Sequence, residues 1–371
     1  MKKRVSILGA TGSIGHSALD VISRDREHFG VVLLSANSKR DELEKIARDW
    51  PGCLSVITGA ENGKEKLISA ICSVNADITL NGISGAAGLL PSLAAIDSRS
   101  SLALANKETI VMAGELVLRR AKEKNVNIIP VDSEHSAIFH LLNAVGEAEE
   151  ITLTASGGPF RKTGIEELKN VNANDALAHP TWKMGPKITI DSATMANKGL
   201  EIIEAASLFN MPPDKIRVVI HPQSIVHSMI KLSNGVFYAQ MSKPDMRHPI
   251  HDALYWPLKT KSSFETLDFS SLTLEFEKPD LQKFPMLKLA RNAAMSGGLY
   301  PCVYNAANET AVKAFMEDRI GFLEIADLTE YVLSKDWKKD SRNDPELEEI
   351  LTADTDARKN AEKFVRQKGK R

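Results

Sequence analysis

Cysteine is scarce. Cys53, Cys72 and Cys302 are the only three in 371 residues, and they form no CxxC pair and no metal-ligand spacing. That excludes a disulfide framework or a zinc ribbon and suits a reducing cytoplasm. A surplus of one charge is lacking too: Lys+Arg 47 stand against Asp+Glu 48, so nothing supports phosphate neutralisation along a nucleic acid. No run reaches the roughly 18 uninterrupted apolar residues of a membrane helix. The basic start of "MKKRVSILGATGSIG" is followed by an apolar stretch that stops at Gly9, too short for a signal-peptide core. Internal repeats and low-complexity tracts are absent as well. With 43% apolar residues, the expectation is a soluble protein of two or three domains, without a nucleic-acid or membrane partner.

Between residues 4 and 131, short β-rich runs alternate with helical spacing: "RVSILG", "VVLLSA", "LSVI", "DITL", "SLALA" and "VNIIPV". Such alternation predicts parallel strands joined by right-handed crossovers, and six strands suit a Rossmann-like doubly wound sheet. From residue 132 the texture becomes α+β, with predicted strands at "EITLTASGG" and "KITIDSA", a helix from about Thr194 to Phe209, and a hairpin in "SIVHSMIKLSNGVFYAQM". Residues 256–280 read as a linker and 281–371 as a helical domain with charged faces. The fold class is therefore α/β: a nucleotide-binding domain over 1–131, a catalytic α+β domain over 132–255, the linker, and the C-terminal helices.

"ILGATGSIG" sets Gly9, Gly12 and Gly15 between the first strand and a helix start, where backbone N–H groups and the helix dipole can hold a pyrophosphate. The second strand ends in "SANSKR" without the acid that would bond a ribose 2′-hydroxyl. Asn37, Ser38, Lys39 and Arg40 instead offer donors and positive charge to a 2′-phosphate, which favours NADP(H) over NAD. "ALANKET" brings Asn106, Lys107 and Glu108 to the same edge of the sheet, where nicotinamide and substrate would meet.

Asp132 and Glu134 follow "VNIIPV" two residues apart and share one side if the strand continues that far. Asn197 and Glu201 lie four apart on one helix face, with Lys198 beside them. Three carboxylates without a cysteine favour a hard ion, Mg²⁺ or Mn²⁺. Taken singly, Asp132 also reads as a helix N-cap with Glu134 in the first turn, and Glu201 as an exposed charge. Ser156 in "TASGGPF", and Ser192 and Thr194 in "TIDSAT", join Asn197 and Lys198 as a candidate phosphate cradle. His179 and Trp182, in a loop with Pro180, Met184, Gly185 and Pro186, suit a lid over a small substrate. His221, His227 and Glu309 are read as structural.

The ordered motifs "GATGSIG", "ANKE", "VDSEHSAIF", "SGGPF", "HPTWKMG", "DSATMANKGLE", "HPQSIVHSM", "PDMRHPI" and "NAANE" span essentially the whole chain. In them the sequence closely resembles the 1-deoxy-D-xylulose 5-phosphate reductoisomerases of the non-mevalonate isoprenoid pathway. The resemblance implies NADPH- and metal-dependent isomerisation and reduction of that sugar phosphate to 2-C-methyl-D-erythritol 4-phosphate. It further implies metal ligands at Asp132, Glu134 and Glu201, and catalytic groups at Lys107, Glu134 and His179. Substrate contacts are implied at Lys107, Ser133, Glu134, Ser156, His179, Trp182, Ser192, Asn197, Lys198 and Glu201. Cofactor contacts are implied at Thr11, Gly12, Ser13, Ile14, Asn106, Glu108 and Gly185, and the resemblance also implies a homodimer whose interface lies near the sheet that holds His221 and His227. The second-strand tip departs from the family's glycine-containing pattern; Asn37, Ser38 and Lys39 are the residues carried over to it as expected 2′-phosphate contacts. Two rivals stand beside this reading: another NADPH-dependent sugar-phosphate dehydrogenase, and a non-catalytic NADPH-binding regulator.

Overall fold

The computed structural model describes residues 2–179, 181–182, 184–337 and 344–368. In chain order the elements are β1 (Lys3–Leu8), α1 (Ser13–Ser23), β2 (Phe29–Ala36), α2 (Arg40–Arg48), β3 (Leu54–Ile57), α3 (Gly63–Ser73), β4 (Ile78–Asn81), α4 (Leu89–Asp97), β5 (Ser101–Leu104), α5 (Lys107–Lys124), β6 (Ile128–Pro130) and α6 (Ser133–Val145). There follow β7 (Glu150–Ala155), α7 (Ala173–Leu177), α8 (Pro186–Ala193), α9 (Ala196–Leu208), β8 (Ile216–Ile220), β9 (Val226–Lys231), β10 (Phe237–Met241), α10 (Arg247–Tyr255), α11 (Met286–Ser296), α12 (Tyr300–Met316), α13 (Glu324–Leu333) and α14 (Leu347–Lys368). By packing they form two units, one of residues 1–109, 117–139 and 245–267, the other of 110–116, 140–244 and 268–371.

In the first unit all six expected strands pair in parallel, in the order β3-β2-β1-β4-β5-β6. The order reverses between β1 and β4, and at such a switch point the carboxyl ends of the strands open a crevice for a ligand. Val5, Ile7, Leu34, Ile78 and Leu80 supply the sheet's share of the core. Ile250, Ala253, Leu254 and Phe264 fill the same core, although 245–255 reads by sequence as part of the middle domain and 256–264 as linker. Periodicity shows that a helix has an apolar face, not which sheet it covers. Arg247 on α10 fixes that docking through a 3.0 Å ion pair with Asp20 on α1.

The second unit holds a four-stranded sheet ordered β10-β9-β7-β8, with β7 parallel to β8 and antiparallel to β9. The predicted hairpin is β9 with β10, and Gly235 turns it at φ +84°. "KITIDSA", expected as a strand, is helix α8. A short run of β-branched residues cannot be assigned by periodicity alone, and Pro186 at the first helical position, with φ already suited to a helix, tips it. Gly199 lets α9 approach α11 and α12 closely: a Cβ there would lie 2.6 Å from Ala290 Cβ and 2.7 Å from the Tyr304 hydroxyl. Among the described residues, no helix is long and apolar enough to cross a membrane.

Candidate functional site

In the first unit the site begins at the glycine turn. Gly9 has φ +84°, and a Cβ on it would meet the Gly82 carbonyl oxygen at 2.8 Å, so the β1 and β4 loops can close on each other only without a side chain. A Cβ on Gly15 would lie 2.4 Å from the Gly9 oxygen and 2.5 Å from Ala10 Cα, which is why α1 can start so near β1. Gly12 and Ser13 are exposed at the head of α1, with Thr11 and Ile14 beside them. This leaves the helix N-terminus open to an anion. Asn37, Ser38 and Lys39 follow the neighbouring β2. Lys39 pairs with Glu42 at 3.0 Å, and that ammonium together with the His16 ring holds the Glu42 carboxyl below its usual range.

Asn106 is buried and pins the crevice. Its amide nitrogen donates to the carbonyls of Ile83 (2.7 Å) and Gly85 (2.9 Å) and to Glu108 (2.9 Å), while its oxygen accepts from the Thr109 N–H at 3.0 Å and so caps α5. Lys107 beside it pairs with Asp132 at 2.5 Å, with side chains only 5% and 15% exposed. The ammonium thus supplies the counter-charge that a nearly buried carboxylate requires. β6 stops at Pro130 and α6 starts at Ser133, so Asp132 and Glu134 do not share one side of a strand. Glu134 instead sits in the first helical turn, where its charge complements the dipole, and it accepts from Ser133 Oγ at 2.5 Å.

In the second unit the residues of the expected phosphate cradle lie on β7, α8, α9 and their loops. His179 Nδ1 accepts from the backbone N–H groups of Thr181 (3.1 Å) and Trp182 (2.9 Å), so the network assigns its proton to Nε2, which donates to Ser156 Oγ at 3.0 Å. Gly158 N–H also donates to that oxygen, at 3.3 Å. With two hydrogen bonds accepted, the Ser156 hydroxyl has its own proton to give. Burial holds the His179 pKa below its ordinary value, in keeping with the neutral ring. Gly158 at φ +66° brings this loop onto α8, where a Cβ would lie 2.7 Å from the Ser192 carbonyl oxygen. Ser192 therefore stands beside the Ser156 loop, but on a helix. Pro180, expected in the same loop as His179, Trp182 and Gly185, lies outside the described residues.

α8 and α9 meet at Met195, whose left-handed φ of 63° is rare for a side chain of that bulk. Thr194 braces the corner by donating to the Ile190 and Asp191 carbonyls and accepting from Ala196 N–H. Asn197 and Lys198 start α9 and both reach Glu201, Asn197 at 2.6 Å and Lys198 in a short ion pair. Glu201 is fully buried rather than an exposed charge. Its carboxylate, like those of Asp132 and Glu134 in the first unit, has the oxygen-donor chemistry that a hard divalent cation takes. The sequence reading passed over Asp191, buried on α8, which pairs with Lys187 at 2.9 Å and accepts from Asn308 Nδ2 at 2.8 Å. Its only sequence signal is an acid amid the apolar positions of "KITIDSA".

His221 and His227 take structural partners. Nδ1 of His221 meets the Glu275 carbonyl at 2.8 Å and Nε2 accepts from the Ile225 and Val226 N–H groups, while Nε2 of His227 reaches Ser242 Oγ at 2.8 Å. Glu309 ties α12 to α14 through Arg358 at 2.8 Å.

Residues 5–62 and 54–114 match the family described as 1-deoxy-D-xylulose 5-phosphate reductoisomerase. Residues 128–209 match the description 1-deoxy-D-xylulose 5-phosphate reductoisomerase C-terminal domain, and 241–360 match DXP reductoisomerase C-terminal domain. The chain belongs to this family. A 1-deoxy-D-xylulose 5-phosphate reductoisomerase of Chlorobium chlorochromatii is 47% identical over 98% of this chain and 100% of its own length. One of Treponema denticola is 48% identical over 91% of each. Among solved structures, the Zymomonas mobilis reductoisomerase in complex with NADPH has a TM-score of 0.86 at 39% identity, covering 98% of this chain and 99% of that one. A DOX-P reductoisomerase in complex with NADPH, fosmidomycin and magnesium has 0.89 at 37%, covering 98% of both. The family and α/β fold expected from the motifs are thus borne out.

Proposed function

We propose that the protein converts 1-deoxy-D-xylulose 5-phosphate into 2-C-methyl-D-erythritol 4-phosphate with NADPH and a divalent metal ion, in the non-mevalonate route to isoprenoids. The observation that carries this reading is similarity along the whole chain, 98% of it, to a reductoisomerase solved with NADPH, fosmidomycin and magnesium. A plain dehydrogenase or a non-catalytic NADPH-binding protein would give the Ser156–His179 contact and the buried Glu201 no task.

When bound, the metal, Mg²⁺ or Mn²⁺, supplies Lewis-acid stabilisation of charge on neighbouring substrate oxygens, and NADPH supplies the hydride. Asp132, Glu134 and Glu201 are the metal ligands in this reading, which rests on their all-carboxylate chemistry. Lys107 supplies the counter-charge to Asp132 and holds it in place. Ser156, Ser192, Asn197 and Lys198 bind the substrate phosphate, with Ser156 donating the proton that its two accepted hydrogen bonds leave available. His179 and Trp182 cover the substrate and exclude water, while Ser133 and Glu134 line its carbon backbone. Phosphate binding remote from the reacting carbons supplies energy that orients them. Thr11, Gly12, Ser13 and Ile14 hold the cofactor pyrophosphate and Asn37, Ser38 and Lys39 the 2′-phosphate, and Asn106, Glu108 and Gly185 complete the cofactor contacts. The protein works as a cytoplasmic homodimer. In support, its three cysteines are unpaired and the edge strand β10 presents Phe237 and Tyr238 at 55% and 41% exposure.

The test follows NADPH absorbance with 1-deoxy-D-xylulose 5-phosphate and Mg²⁺. Turnover should stop on adding a chelator and return with excess Mg²⁺ or Mn²⁺. Glu201→Gln should abolish turnover and leave NADPH binding within about twofold of wild type, a difference under ~0.5 kcal/mol. Full activity in that variant would remove Glu201 from the metal site. NADPH binding without turnover in the folded, metal-loaded protein would return the reading to the regulator.

A further inference from the structure

The "NAANE" motif has no task in the reaction as described, yet it reaches the helix that carries Ser192. Asn308, on α12, is wholly buried and donates from Nδ2 to Asp191 Oδ1 at 2.8 Å. Asp191 is 1% exposed and pairs on its own helix with Lys187 at 2.9 Å. Lys187 lies in the first turn of α8, where a cation opposes the helix dipole, so its pairing with Asp191 offsets an otherwise unfavourable placement. α8 is only eight residues long, runs from Pro186 directly behind the loop of His179 and Trp182, and ends at the Met195 corner. A helix this short has little intrinsic stability, and its rotation about its axis is set by tertiary contacts. Successive residues differ by about 100° around a helix, so the bond that fixes the direction of Asp191 also fixes that of Ser192.

We propose that Asn308 is a positioning residue for the phosphate subsite: its bond to Asp191 sets the orientation of α8, and through it the direction in which Ser192 faces the Ser156 loop. The inference rests on the proposed phosphate role of Ser192. It gives the C-terminal helical region a part in substrate binding. Glu309, one residue on, turns to Arg358 of α14, so α12 links the outer helices to the subsite.

The experiment uses the full-length enzyme with metal and NADPH, comparing Asn308→Ala, Asn308→Asp, Asp191→Asn and the reciprocal double variant Asn308→Asp with Asp191→Asn. Asn308→Asp keeps the volume but sets a carboxylate against a carboxylate, whereas the double variant restores an amide–carboxylate pair with its direction reversed. Losing a hydrogen bond to a buried charge is expected to raise KM for the sugar phosphate about tenfold. It should leave kcat within about threefold and NADPH affinity unchanged, and the double variant should recover most of the KM loss. Inorganic phosphate, as a competitive inhibitor, should weaken in the single variants by the same factor as the substrate.

Single variants that fold, bind NADPH and keep wild-type KM would overturn the inference. So would a fall in kcat and in NADPH affinity together without rescue, the pattern of a purely structural role. Asn308→Ala adds no charge and stands in if Asn308→Asp does not fold. Ser192→Ala separates the two readings: if it leaves KM and phosphate inhibition unchanged, the phosphate assignment has failed. If it raises KM while the Asn308 variants do not, only the positioning role has failed.

Discussion

His179 works as a neutral ring. Its Nδ1 already accepts two backbone N–H groups, so protonation there would set a donor against two donors and break the bonds from Thr181 and Trp182. Because burial lowers its pKa from 6.5, the stability this arrangement contributes is present above pH 6.5 and is lost as pH falls through the depressed folded value. Affinity for the sugar phosphate should fall over the same window. The ring's titration, followed by its NMR shifts, should have a midpoint below 6.5, and a midpoint at or above that value would refute the assignment. His221 gives a contrasting prediction. Its ring closes a loop with three backbone groups and stacks on Phe276 at 4.7 Å, so His221→Ala should cost roughly 2 kcal/mol of stability by stranding buried N–H groups. Metal affinity should not change, and a loss of it would reopen the structural reading.

At the scale of the element, the β1–α1 turn tolerates little. In Gly15→Ala the added carbon meets the backbone of Gly9 at 2.4 Å and of Ala10 at 2.5 Å, so α1 must shift. NADPH affinity should drop at least tenfold by fluorescence titration, a loss of ~1.4 kcal/mol or more. Gly12→Ala, whose Cβ approaches the Gly9 oxygen at 3.3 Å, should be milder. Equal effects would separate the turn's tightness from its binding role. This turn was legible in the sequence because glycines between a strand and a helix carry a local physical requirement. The six parallel strands were legible for a similar reason, since each is a short apolar run between turn signals. α8 was not, because Ile188, Thr189 and Ile190 favour a strand locally and helix-to-helix packing overrides that preference. Asp132 and Glu134 were found by type, and of their two local readings the helix start holds and the continued strand does not. Asp191 was missed because a partner 117 residues away, Asn308, leaves no trace in spacing.

On the scale of the whole molecule, the nucleotide-binding unit is discontinuous in sequence. Leu254 is wholly buried in its core, so Leu254→Ala should cost about 2–5 kcal/mol and loosen NADPH binding, although it lies far along the chain from the glycine turn. Thermal unfolding with and without NADPH measures both effects, and an unchanged cofactor affinity would show that α10 does not support the crevice. The exposed edge of β10 makes a second prediction at this scale. Phe237→Asp should shift the sedimenting species from dimer to monomer, whereas a wild-type monomer would exclude the homodimer.

The discontinuity also shapes how the protein is made. The ribosome delivers the six strands first, yet the helix that closes their core lies beyond residues 140–244. At roughly 5–20 residues per second, those intervening residues take about 5–20 s to synthesise. During that interval the surface that α10 will cover is exposed on the nascent chain, so the period of greatest exposure to chaperones and to aggregation falls midway through translation.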